Sequence, residues 1–460
     1  PLTLTLLEEQ NAITAQITQE LTGGTLENPR ILVNPYGISP LSALMQLSTE
    51  TPEALSVTVR GKTPQADLTM HYPASTEHLI LIVGLLADQP TEVQIRTETQ
   101  TTELQLQADA LPQGALEAEV TIEHQDPQPN RLYFTTPSSS GYASAYDVNG
   151  DLRWILSEML LWDLNLLDNG LITLSSERLL DSPYYTTGFL TMDLSGHIAL
   201  EYSVEGGYHH DLDQLPNGNF LIASNDLSGD TVEDVVVEVD AASGEVLRHI
   251  DLKEILPMED GKSLNWTAED WFHNNSVDYN PVQNTLTVSG RHQDVVAVID
   301  YDSLKLRYLV GSPEGWSEAM QPFFLTPQGE PFEWQWAQHA ATWISDNQLM
   351  LFDNGMYRSK NEDQALSADQ NYSRMVIYEI DEANKTIRQV MEYGKQRGSA
   401  YYSPYICDAD QLAEDRWLVT SGGISWLDGQ INNMPGSLTE YDRMEAYITE
   451  LNGTQPVFEL

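Results

Sequence analysis

The sequence predicts an all-β protein: a six-bladed β-propeller preceded by an N-terminal β-sandwich. Three observations lead there. A turn-centred element recurs six times between residues 146 and 454, and a second element lies ahead of most of its copies. The stretch before both consists of short segments of period-two alternation and contains no tryptophan. Self-similarity at a roughly fixed interval is the mark of a repeat architecture.

The ten tryptophans run from Trp154 to Trp426. Before them, Ala54–Arg60, Glu92–Glu98 and Glu103–Gln107 place apolar residues at every second position, as strands with one buried face do. Several such strands with Thr, Gly and Pro between them make a small sandwich. The polar, proline-containing segment His124–Asn130 marks its end. The expected division is 1–125 for a sandwich with a structural or oligomeric role, and 126–460 for the propeller. No cluster of catalytic residue types lies in the first part.

The six turns are Tyr146–Asp151, Met192–His197, Val239–Gly244, Ile299–Asp302, Ile380–Asn384 and Glu450–Thr454. Each lies between two alternating arms and reads as a β-hairpin whose Asn, Gly or Asp tip supplies positive φ. Ahead of them, His210-Asp-Leu-Asp-Gln-Leu aligns without gaps with His339-Ala-Ala-Thr-Trp-Ile and Cys407-Asp-Ala-Asp-Gln-Leu. Trp162 and His273 open further copies, and the first copy falls in Arg131–Tyr142, whose inner segment does not align. One position is thus filled by Trp162, His210, His273, His339 and Cys407, at steps of 48, 63, 66 and 68 residues. Six units of about four strands indicate six blades, and residues at the start of inner strands point toward the central channel. His210, His273 and His339 are expected to converge there.

Composition narrows the function. Asp and Glu number 69 against 22 Lys and Arg, a net charge of −47, which repels phosphate backbones and anionic membranes and argues against a nucleic-acid partner. The longest apolar run, Leu79–Ala87, is about half of a membrane span, so no membrane insertion is expected. No basic leader opens the chain. A lone Cys407 excludes an internal disulfide and a multi-cysteine metal site.

Two chemistries fit three histidines. They can hold zinc with one open position, which would make a metal-dependent hydrolase or lyase. Arg291, near the end of the blade opened by His273, opposes a dication and favours an anion, because its planar fork suits the oxygens of a carboxylate, phosphate or sulfate. The cluster then forms an oxyanion pocket with one imidazole as nucleophile or base. No glycine-rich phosphate loop is present, so a nucleotide donor is not indicated. Trp271, Trp336 and Trp343 are candidates to sandwich an aromatic ring or, equally, to pack blade cores.

The segments Tyr208–Asn219, Asp270–Ser276, Ser289–Gln293, Gln338–Trp343 and Phe352–Gly355 resemble the bacterial arylsulfate sulfotransferase family. The resemblance extends to Asn34–Gly37, Pro40–Ala43 and Ile82–Gly84 in the first domain. It implies a six-bladed propeller behind a sandwich that mediates homodimer formation. It also implies transfer of a sulfuryl group from an aryl sulfate donor to a phenolic acceptor, by a ping-pong route, with no nucleotide donor and no cofactor or metal. Carried over by position, His339 matches the transiently sulfated histidine. His210, His273 and Arg291 match residues that bind and neutralise the sulfuryl oxygens, and Asn275 matches a substrate-binding asparagine. His209 competes with His210, and the repeat favours His210. Many members carry a disulfide upstream of the nucleophile; here Gly311–Gln338 has no cysteine, so no thiol oxidase is needed. Cys407 reads as a small buried thiol. The family implies a periplasmic or secreted location.

Overall fold

The computed structural model describes residues 4–137, 141–181, 184–434 and 441–460. The chain is all-β, an N-terminal sandwich followed by a six-bladed propeller, and it forms two compact units, Pro1–Ser203 with Leu460, and Val204–Glu459.

The first unit opens with a helix, Leu6–Glu20, where alternation alone suggests only strands. Its signal is local: Thr5 Oγ1 accepts from the Glu8 amide while Glu8 returns to the Thr5 amide, a capping box. The sandwich is built on two long strands, Ser42–Val59 and Leu68–Val83, paired with each other through a bulged middle. The first half of Ser42–Val59 pairs with Arg30–Val33, and its second half pairs with Thr91–Arg96. The alternation read from sequence therefore buries Val57, Val59, Val93 and Ile95 in one core.

Six antiparallel sheets follow, the blades. Blade 1 consists of Tyr133–Thr135, Ser144–Tyr146 and Leu152–Ile155; residues 138–140 of this first copy lie outside the described ones. Blade 2 runs from Asn165 to Tyr208, blade 3 from Leu212 to Asp251 and blade 4 from Asn274 to Gly311. Blade 5 runs from Thr326 to Tyr393 and blade 6 from Asp408 to Glu459. Each of the six sequence turns joins two adjacent antiparallel strands at the end of its blade. In five of them the aspartate caps its own turn, its Oδ1 accepting from the amides of Asn149, Ser195, Ala242, Ser303 and Asn384 in turn. That local bond explains why aspartate recurs.

Asp147 does more. Its other oxygen accepts from Arg153 at 2.7 Å, and neither side chain is exposed. Arg153 also donates to the carbonyls of Ala66, Gly84 and Arg60. Removing one partner of such a pair leaves an uncompensated buried charge. Arg153→Met is expected to cost about 3–5 kcal/mol of stability by denaturant unfolding, and adding Asp147→Leu to recover part of it.

No helix among the described residues is long and apolar enough to cross a membrane.

Candidate functional site

The sequence-predicted residues all fall within the second unit, at the inner ends of blades 3, 4 and 5. His210 precedes the strand Leu212–Gln214, His273 precedes Asn274–Asn280, and His339 opens His339–Trp343. Arg291 follows the strand Thr285–Gly290. Gly290 is needed there, because a Cβ would lie 2.3 Å from the Phe272 ring that packs against it. His210 and His273 hold left-handed backbone, φ 58° and 55°, a conformation retained where surrounding contacts enforce it.

The histidines do converge, though not through one repeat position. Asp211 accepts from the Val277 amide and Asp213 from that of Tyr279; one blade on, Ser276 and Asp278 do the same for Ala341 and Trp343. Asp211 therefore corresponds to Ser276, and His210 to Asn275 and His339. His273 sits two residues earlier, ahead of a register shift between Asn274 and Val277, so its expected place at the shared repeat position is corrected. Its ring centroid still lies 5.2 Å from that of His210. Asn275 spends its amide donor on the carbonyl of Gln338, at 2.8 Å, so it holds the backbone beside His339. Its own Oδ1 is buried without a hydrogen-bond partner.

Several ring nitrogens can be assigned from their neighbours. Asn354 donates to the carbonyls of Ser403 and Ile406, which turns its Oδ1 toward His339 Nδ1, 2.7 Å away. His339 Nδ1 must carry the proton, and Nε2 keeps its lone pair. Buried His209, pushed down to about 4 by burial, is neutral and faces the Ser224 carbonyl through Nε2. Its Nδ1 therefore accepts from His210 Nδ1 at 2.9 Å. His209 is thus the support and His210 the presented ring. His273 Nδ1 lies 2.7 Å from Asp270 and 3.0 Å from Glu233. His292, held down to about 3 chiefly by burial, faces the Asp270 carbonyl through Nδ1 and accepts from Arg291 through Nε2.

Arg291 is 5% exposed and is fixed further by the Met356 sulfur and the Pro404 carbonyl. Burial first holds His210, His273 and His339 well below the usual imidazole range, and the Arg291 charge pushes each the same way. At neutral pH the site presents neutral imidazoles beside a fixed cation.

Two groups of metal-ligating types lie close together, His209–His210–Glu233 and Asp270–His273–His292. In both, ring nitrogens are committed to protein partners, and neither contains His339. The three-histidine ligand set considered from sequence is not gathered as a metal site among the described residues. Cys407 is pushed up to about 12 by burial and is held by Ser403, so it is a packed thiol. Trp271 is fully buried in a blade core, bonded to Asp234, and Trp343 bonds Thr287; Trp336 is half-buried.

Sequence reasoning missed Asn354, Glu233, Asp270 and His292. Asn354, Asp270 and His292 stood inside the quoted motifs without an assigned part, whereas nothing marked Glu233. Because the Asn354 amide bond already favours the protonated ring, a carboxylate there would favour it more. Asn354→Asp is expected to raise the His339 pKa and move the acid limb of activity to higher pH, read from a kcat/KM profile.

The model for Arylsulfotransferase (ASST) matches residues 117–455, and that for the Arylsulfotransferase Ig-like domain matches residues 30–108. The chain is 24% identical to arylsulfate sulfotransferase AssT of Escherichia coli O6:H1, across 90% of this chain and 88% of that one. It is 23% identical to the AssT of Lelliottia amnigena, across 84% and 83% respectively. With both parts of its length matched and a cation set among histidines, the chain belongs to the arylsulfotransferase family and is a sulfotransferase.

Proposed function

We propose that the protein moves a sulfuryl group from an aryl sulfate to a phenol in two half-reactions through a sulfohistidine on His339. The observation that carries this reading is the bond from His339 Nδ1 to Asn354, which leaves the Nε2 lone pair directed away from its support and beside Arg291. In the first half-reaction Nε2 attacks sulfur, the bond from sulfur to the aryl oxygen breaks, and the phenolate leaves with a proton. In the second, the acceptor oxygen attacks sulfur, the nitrogen–sulfur bond breaks, and the acceptor's proton is lost to the site. Arg291 with His210 and His273 surrounds the sulfuryl oxygens, a set of charges and dipoles already in place before reaction. Asn275 orients the Gln338–His339 backbone through its bond to the Gln338 carbonyl.

The resemblance further supports a sandwich of residues 1–125 that forms a homodimer, a catalytic propeller of residues 126–460, and a periplasmic or secreted location.

The test measures 4-nitrophenol release from 4-nitrophenyl sulfate with and without phenol, in the presence of a chelator. A route through one covalent intermediate gives parallel double-reciprocal lines and sulfuryl-labelled His339 in acceptor-free enzyme. Sustained release without phenol would mean water is the acceptor and the protein a sulfatase. Loss on chelation would return the metal reading.

A further inference from the structure

The Nδ1 atoms of His210, His273 and His339 face different supports. His339 faces a neutral amide and His210 faces neutral His209. His273 has two carboxylates within 3.0 Å of its Nδ1, Asp270 Oδ2 at 2.7 Å and Glu233 Oε2 at 3.0 Å. Glu233 also lies 3.8 Å from His210 Nδ1.

Glu233 is 1% exposed, and the fold holds it deliberately. Its backbone is left-handed at φ 55°, its amide donates to Asn225 Oδ1 at 2.7 Å, and its carbonyl accepts from the Asn274 amide at 2.9 Å. It therefore reaches from blade 3 to a histidine of blade 4. Asp270 approaches from the loop before His273 and also supports His292. Two carboxylates this close to one imidazole favour its charged form, because an opposite charge within about 4–6 Å stabilises the imidazolium.

We propose that Glu233 and Asp270 are positioning residues that make His273 the proton carrier of sulfuryl transfer. This rests on the two-step reading above. As imidazolium, His273 gives its Nε2 proton to the departing phenolate oxygen while Nδ1 keeps its own proton, hydrogen-bonded to Asp270 with Glu233 beside it as a second negative charge. The neutral ring then takes the acceptor phenol's proton back on Nε2 as the new sulfur–oxygen bond forms. Each turnover returns one proton, and the first comes from solvent when the anionic donor binds. The groups facing His273 are His210, His292 and Arg291, which disfavour its positive charge, and Glu233 and Asp270, which favour it. Burial pushes the Asp270 carboxyl up and the His273 imidazole down.

The experiment is single-turnover aryl release, without acceptor, from phenyl sulfate and from 4-nitrophenyl sulfate, in wild type, Glu233→Gln and Asp270→Asn. Phenolate is a poor leaving group that needs the proton, and 4-nitrophenolate needs it little. Glu233→Gln is expected to slow phenyl sulfate about 10²-fold and 4-nitrophenyl sulfate by no more than about threefold. The alkaline limb with phenyl sulfate moves to lower pH, because losing a carboxylate lowers the pKa of the acid that donates. Glu233→Asp restores part of the rate. Equal losses on both donors with an unmoved limb, in either variant that folds, would overturn the proposal and leave a structural role. Failure of wild type to release any aryl group would instead sink the two-step reading itself.

Discussion

His339→Ala is expected to lower phenol-dependent release of 4-nitrophenol by about 10³-fold or more, and to abolish the sulfuryl-enzyme. The magnitude follows from what is removed. Without the ring, transfer requires direct attack by the acceptor across a site built around an imidazole, and the covalent route is lost. The fold should survive, because the ring's ties are few: hydrogen bonds to Asn354 and to the Ala337 backbone, and Asn354 keeps its two bonds to the Ser403 and Ile406 carbonyls. Asn354 Oδ1 then needs only a water. His210→Ala separates nucleophile from support: in the proposed route His210 forms no bond to sulfur, so the sulfuryl-enzyme is expected still to form, more slowly. Should His339→Ala retain a sulfuryl label while His210→Ala loses it, the two rings would exchange parts.

The fold and the site were legible to different depths. Period-two alternation and the recurring aspartate turns determined the six hairpins, because each signal is local: one side-chain oxygen caps a turn three residues long or less. The capping box at Thr5 and Glu8 was equally local and was overlooked among strands. The site is not local. His210, His273, His339 and Arg291 come from three blades, and the repeat could place them only as far as its register held. The shift after Asn274 displaces His273 by two positions yet leaves its ring beside His210. Glu233 was invisible for the same reason. Nothing near it in sequence is catalytic, and its meaning arises from a neighbour forty residues on.

Arg291→Ala is expected to lower kcat/KM by about 10²–10³-fold, with Arg291→Lys recovering only part. Arg291 is 5% exposed, so its charge acts through protein rather than water and is weakly screened by salt. Against a chain of net charge −47, it supplies the local positive field that an aryl sulfate requires. A lysine would restore the charge as a point, but not the fork that binds His292, Met356 and Pro404 from one plane. The pH profile separates electrostatics from simple disorder. Arg291 holds His339 below its ordinary range after burial has done so, and it acts likewise on His210 and His273. Removing the cation lets His339 keep its proton to higher pH. Attack needs the neutral ring, so the acid limb of kcat/KM should move upward in Arg291→Ala. An unchanged acid limb beside a large loss of rate would place Arg291 with the scaffold rather than with the sulfuryl group.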